Sequence, residues 1–169
     1  MKTHPLIWAA SLLGLAGLAG GYAMSTATPV GRFFDLSEFT KTKTGLPNQP
    51  DVVVIENIKA LTAYVLDKLR AHLGVPVRIT SGFRSPQVNT AVGGAQGSQH
   101  VTGEAADIKV DGYTAEQLLN AIVALGLPFD QAIVYAPERG GHLHVSFKRV
   151  GMNRGMALRA PAGGGYVQV

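Results

Sequence analysis

The chain has 169 residues, of which 46% are hydrophobic, which is enough for one domain with a buried core and too short for two. It contains no cysteine, so the fold does not depend on disulfides, and a metal site must be built from histidine and carboxylate. Four basic residues and no acid lie between Lys148 and the C-terminus, so the net charge of +4 reflects this tail and does not indicate a basic folded face for nucleic acid.

The N-terminal segment, residues 1–27, is hydrophobic. After Lys2, residues 5–24 carry no charge, which is typical of a signal peptide or a signal anchor and predicts an N-terminal hydrophobic helix. Small residues at Ser25 and Ala27 fit a cleavage site, whereas the length of the apolar run fits a retained anchor, and both alternatives stay open. Because Lys2 keeps the N-terminus inside, either alternative predicts export to the periplasm or to the outer face of the inner membrane.

Residues 28–50 are polar and contain glycine and proline, which predicts a linker with one strand or turn over residues 32–39. Beyond the linker, apolar residues recur at spacings of three and four from Val54 to Leu69. This spacing predicts one amphipathic helix of about twenty residues. Gly74 follows the helix as a C-terminal cap.

Shorter elements follow the long helix. Ser85 before a proline marks one helix start, and Thr114 with Gln117 forms a capping box at another. The predicted short helices are 86–92 and 114–125, and the predicted strands are 75–80, 105–110, 130–135 and 142–148. Residues 51–148 are therefore predicted to form a small α+β domain with an antiparallel sheet flanked by helices. The basic, glycine-rich residues 149–169 show no periodicity and are expected to be a disordered tail.

Histidines and an aspartate recur near the last predicted strands. His142 and His144 project from one strand face, and buried imidazoles there would each need partners for both nitrogens. His100 and Asp107, seven residues apart, lie in the loop and strand before, where they can meet that face. A catalytic zinc ion takes three nitrogen or oxygen ligands and leaves one position for water, a set that these residues fit. A His-x-His pattern by itself also arises by chance on surface strands.

The stretch from Ile79 to Ile108, with its Ser-x-His-x-x-Gly-x-Ala-x-Asp pattern, is more specific. Together with residues 142–147 it resembles the zinc D-alanyl-D-alanine carboxypeptidase family of cell-wall peptidases, in particular its short single-domain bacterial and phage members. The resemblance covers about residues 34–147. It implies an antiparallel sheet flanked by helices and one zinc ion. The implied ligands are His100, Asp107 and His144.

The resemblance also implies roles around the metal, with two departures. Arg84 matches an arginine that faces the substrate or the developing oxyanion, and Ser98 matches a serine that hydrogen-bonds the substrate. Many relatives have a tryptophan where His142 stands and an acidic general base where Gly141 stands. The base is therefore either Glu138, the nearest acid, or His142.

The predicted function is zinc-dependent hydrolysis of peptidoglycan stem peptides by an exported or membrane-anchored monomer that does not bind nucleic acid. Removal of a terminal D-alanine is the leading reaction. The close alternative is endopeptidase cleavage, either of cross-links or of the L-alanyl-D-glutamate bond. A third interpretation is a non-catalytic cell-wall binding module with a structural zinc, which the missing acid at Gly141 favours.

Overall fold

A computed structural model describes residues 27–169, so the predicted N-terminal hydrophobic helix lies outside the described residues. In this part of the chain, no helix combines the length and hydropathy needed to cross a bilayer. The predicted α+β architecture is confirmed here: helices pack against a six-stranded, mostly antiparallel sheet.

The helices are α1 (Leu36–Thr40), α2 (Val52–Leu61), α3 (Asp67–Leu73), α4 (Pro86–Ala91) and α5 (Ala115–Ala124), with a π-helical turn (Thr62–Leu66) between α2 and α3 and a 3₁₀ turn (Pro137–Arg139). The strands are β1 (Val77–Ser81), β2 (Ala105–Val110), β3 (Gln131–Tyr135), β4 (Leu143–Ser146), β5 (Met156–Ala160) and β6 (Val167–Gln168). Their order across the sheet is β1-β2-β4-β3-β5-β6. Within residues 27–169, only the β3–β5 pair is parallel.

The predicted long helix is present as α2, the π-helical turn and α3. The Asp51 side chain caps its start, and Gly74, at a φ of 69°, ends it in the left-handed conformation. Its apolar stripe is fully buried at Ile58 and Leu69. The apolar spacing did not predict the π-helical turn, where the Thr62 hydroxyl donates to the Ile58 carbonyl oxygen at 2.8 Å.

Residues 28–50, predicted to be a linker, pack onto the domain. The turn predicted within them is present, because Pro29 and Asp35 form a β-bridge and the Val30 N–H donates to the Phe34 carbonyl oxygen at 3.1 Å. The helix α1 that follows was not predicted, and it begins with a capping box in which Asp35 and Glu38 bond each other's backbone N–H groups. Phe34 and Phe39 on either side are buried with their rings edge-to-face, 6.2 Å apart. This segment therefore belongs to the hydrophobic core.

The basic C-terminal segment is also part of the sheet, contrary to the expected disorder. β5 pairs with β3 and β6 pairs with β5. The Met156 N–H donates to the Asp130 carbonyl oxygen, and the buried Asp130 carboxylate forms ion pairs with Lys148 and Arg154. β3 and Asp130 lie outside residues 149–169, so the periodicity of that segment by itself could not reveal β5.

Candidate metal centre

Three side chains converge where β2 and β4 lie side by side. Asp107 on β2 and His144 on β4 are direct register partners across the sheet. His100 comes from the loop between α4 and β2, and its carbonyl oxygen accepts the Arg84 N–H at 3.1 Å. Its ring Nδ1 lies 2.7 Å from the Gly82 carbonyl oxygen. All three side chains are buried.

The distances between the candidate ligand atoms suit a single small cation. His100 Nε2 lies 3.1 Å from His144 Nδ1 and 3.2 Å from Asp107 Oδ1, and His144 Nδ1 lies 2.9 Å from Asp107 Oδ1. Tetrahedral zinc bonds of about 2.0–2.1 Å place two ligand atoms about 3.3 Å apart. The three atoms need to separate only slightly to hold the ion.

The hydrogen bonds around these atoms also favour a cation. A carbonyl oxygen only accepts, so His100 Nδ1 must carry the proton toward Gly82, and Nε2 keeps its lone pair. Nε2 then faces Asp107 Oδ1 at 3.2 Å and His144 Nδ1 at 3.1 Å, while the Arg84 Nη2 donor lies further away at 3.4 Å. The lone pair of Nε2 is thus directed at the same point as the other two ligand atoms. The donor set therefore fits one zinc ion.

Arg84 orients the carboxylate ligand. Its Nη2 donates to Asp107 Oδ2 at 2.8 Å and its Nε donates to Ser81 Oγ at 2.9 Å, so Oδ1 is the oxygen that faces the imidazoles. Burial alone raises the pKa of the Asp107 carboxyl, but the neighbouring imidazoles of His100 and His144 outweigh burial and hold the pKa below its usual range. Burial lowers the pKa of His144. A carboxylate and a neutral imidazole are the protonation states that ligate a metal.

A cleft of about 790 Å³ opens over the three candidate ligands. Arg84 and Ser98 both line it, and the Ser98 hydroxyl accepts the His100 N–H at 3.4 Å. Among the described residues, Asp107 is the only acid in its lining. The cationic side chains that line it are Arg84, Arg139, Lys148 and Arg154.

The two candidate bases lie in different places. His142 lines the cleft with Nε2 3.8 Å from Asp107 Oδ1, whereas Glu138 is exposed on the 3₁₀ turn and does not line it. Burial lowers the pKa of His142, so its ring is neutral at neutral pH. Gly141 has a φ of 55°, the left-handed conformation that glycine adopts without strain. The structure thus brings His142 to the centre and not Glu138.

Several cleft residues were missed from the sequence. Tyr135 stacks on His142 with ring centroids 4.4 Å apart, and its hydroxyl lies 3.3 Å from that of Tyr166. Burial and this hydrogen bond raise the pKa of Tyr135. Its place at the end of a predicted strand, just before the His142 loop, was the available signal. Arg154 and Tyr166 had none, since they belong to the segment expected to be disordered, and Lys148 was predicted only as the end of the strand over residues 142–148.

A buried His-Asp-His set at the floor of an open cleft is the arrangement of single-metal hydrolases. The family is identified by sequence comparison: the model of the family Peptidase M15 matches residues 34–146, two thirds of the chain. The chain therefore belongs to this zinc-dependent peptidase family, which confirms the resemblance to the zinc D-alanyl-D-alanine carboxypeptidases. No curated protein matches the chain significantly.

Proposed function

We propose that this protein hydrolyses peptidoglycan stem peptides with one zinc ion held by His100, Asp107 and His144. The observation that carries the proposal is the convergence of these three buried side chains beneath an open cleft in a Peptidase M15 chain. When bound, zinc supplies Lewis-acid polarisation of a carbonyl and activation of water.

The chain's own residues supply the remaining chemistry. His142 is the proposed general base, because it lines the cleft beside Asp107 and Glu138 does not. Arg84 keeps Asp107 in place and offers its guanidinium to the developing oxyanion, the kind of contact whose loss costs about 3 kcal/mol. Ser98 is placed to hydrogen-bond the substrate at the cleft wall.

Removal of a terminal D-alanine is the proposed reaction. Arg84, as a cation in the cleft, suits a substrate with a free terminal carboxylate. Endopeptidase cleavage is the second candidate, because a cleft of about 790 Å³ has room for more of a stem peptide than its last residue. The enzyme is proposed to act in the periplasm or at the outer face of the inner membrane, because its N-terminal run is uncharged. It is proposed to act as a monomer.

Digestion of purified muropeptides by the full-length protein, followed by mass analysis, tests the proposal. Loss of single alanines identifies the carboxypeptidase, and separated stem peptides identify the endopeptidase. His100→Ala is the matched inactive control, since it removes one proposed ligand. A zinc-loaded wild type that releases no product would leave the binding-module interpretation standing.

A further inference from the structure

One wall of the cleft is built by the segment that follows β4, which lies outside the family-matched residues 34–146. Lys148, Arg154 and Tyr166 from this segment line the cleft. The Tyr166 hydroxyl reaches that of Tyr135 at 3.3 Å. The segment is therefore fixed against the site by tertiary contacts.

Asp130 holds the two cations of this wall side by side. Its Oδ1 accepts the Arg154 backbone N–H at 3.2 Å, Arg154 Nε at 2.9 Å and Lys148 Nζ at 3.1 Å, while Oδ2 pairs with Arg154 Nη2. Asn153 closes the turn between them by bonding both the N–H and the carbonyl oxygen of Lys148. Asp130 is fully buried, whereas the Lys148 and Arg154 side chains are 32% and 43% exposed. Both cations thus keep a face toward the cleft.

The charges of the cleft do not balance. Arg84 is matched by Asp107, but Lys148 and Arg154 share the single charge of Asp130. A further cation, Arg139, also lines the cleft. A surplus of positive charge on a concave wall attracts anionic ligands and orients them.

We infer that Lys148 and Arg154 bind a carboxylate of the substrate that belongs to a residue other than the one removed. This inference rests on the proposed function. The wall makes the enzyme select stem peptides in which that carboxylate is free over the same peptides in which it is amidated. Arginine and lysine are suited to this task because charge-assisted hydrogen bonds to a carboxylate are short and strong. Asp130 is the positioning residue, because it holds both Lys148 and Arg154 at this wall.

The test compares two otherwise identical stem peptides that both keep the free terminal carboxylate. In one of them the carboxylate on a residue that is not removed is free, and in the other it is amidated. Lys148→Gln is the main variant, because it leaves the Arg154–Asp130 pair intact. Its KM for the free peptide is expected to rise about ten- to one-hundredfold, with kcat little changed and KM for the amidated peptide unchanged. Arg159→Gln is the matched control, since Arg159 pairs with Glu116 and does not line the cleft.

The outcomes separate the inference from the proposed function. A Lys148→Gln enzyme that keeps the wild-type preference overturns the inference while hydrolysis stands. If the wild type hydrolyses neither peptide, the proposed function fails, and calorimetric binding of the same uncleaved peptides decides the inference by itself. If Lys148→Gln binds only the free peptide more weakly than the wild type does, the inference that this wall binds a carboxylate is supported. An equal loss of affinity for both peptides contradicts it. Arg154→Gln, with its melting temperature recorded, should repeat the pattern.

Discussion

Replacing Asp130 by asparagine tests whether a buried ion-pair cluster holds the C-terminal segment onto the sheet. Burial alone raises the pKa of Asp130, but hydrogen bonds from Arg154 and Lys148 outweigh it and lower the pKa from the ordinary 3.8 to about 2. The charged carboxylate is therefore more stable in the folded protein than in the unfolded chain. Asparagine keeps the shape of the side chain and removes the charge.

The size of the effect follows from the pKa. One pKa unit corresponds to about 1.4 kcal/mol, so the lowered value contributes about 2 kcal/mol to the free energy of unfolding. Because the folded-state pKa is the lower one, this contribution is fully present above about pH 5. It is lost as the pH falls through about 4 toward 2.

Urea unfolding of the wild type and Asp130→Asn at pH 7, 5, 4 and 3 measures this contribution. The variant is expected to be about 2 kcal/mol less stable at pH 7, with the gap narrowing below about pH 4. Glu116→Gln, which breaks a partly exposed pair with Arg159, is the control and should cost less than about 1 kcal/mol. Equal stability of Asp130→Asn and the wild type at pH 7, or a gap that does not change with pH, would refute the reasoning.

Four further substitutions probe the site and the core. His142→Ala should lower kcat about a hundredfold with zinc still bound, whereas Glu138→Ala should leave kcat unchanged; the reverse result would make Glu138 the base. Arg84→Lys should lower kcat about a hundredfold in steady-state assays, because lysine cannot bond Ser81 and Asp107 together, and wild-type kinetics would contradict this role. Phe39→Ala should cost about 3 to 5 kcal/mol in urea unfolding, because its ring is fully buried; a cost under about 1 kcal/mol would mean that residues 28–50 are a linker after all.

Elements with local signals were predicted well from the sequence. The capping box of Thr114 and Gln117 starts α5 as expected, and Ser85 caps α4. Asp35 and Glu38 form the same kind of capping box before α1, but the polar composition of residues 28–50 favoured a linker. A capping signal was therefore more informative than composition.

The elements that were missed depend on contacts between distant residues. β5 is held by pairing with β3 and by the buried carboxylate of Asp130, and neither leaves a periodic pattern in the sequence. The same holds for the site. His100, Asp107 and His144 stood out through residue type and resemblance, whereas Lys148 and Arg154 become cleft residues only once the segment after β4 folds back.

Zinc content measured on the purified full-length protein after equilibration with zinc and removal of the excess tests the central claim most directly. The wild type should retain one zinc ion per chain, and His100→Ala should lose it, because a buried ligand with its lone pair toward Asp107 and His144 is removed. His72→Ala, at an exposed position on α3, should retain zinc like the wild type. A wild type without zinc, or a His100→Ala variant that keeps a full equivalent, would contradict a metal centre at these residues.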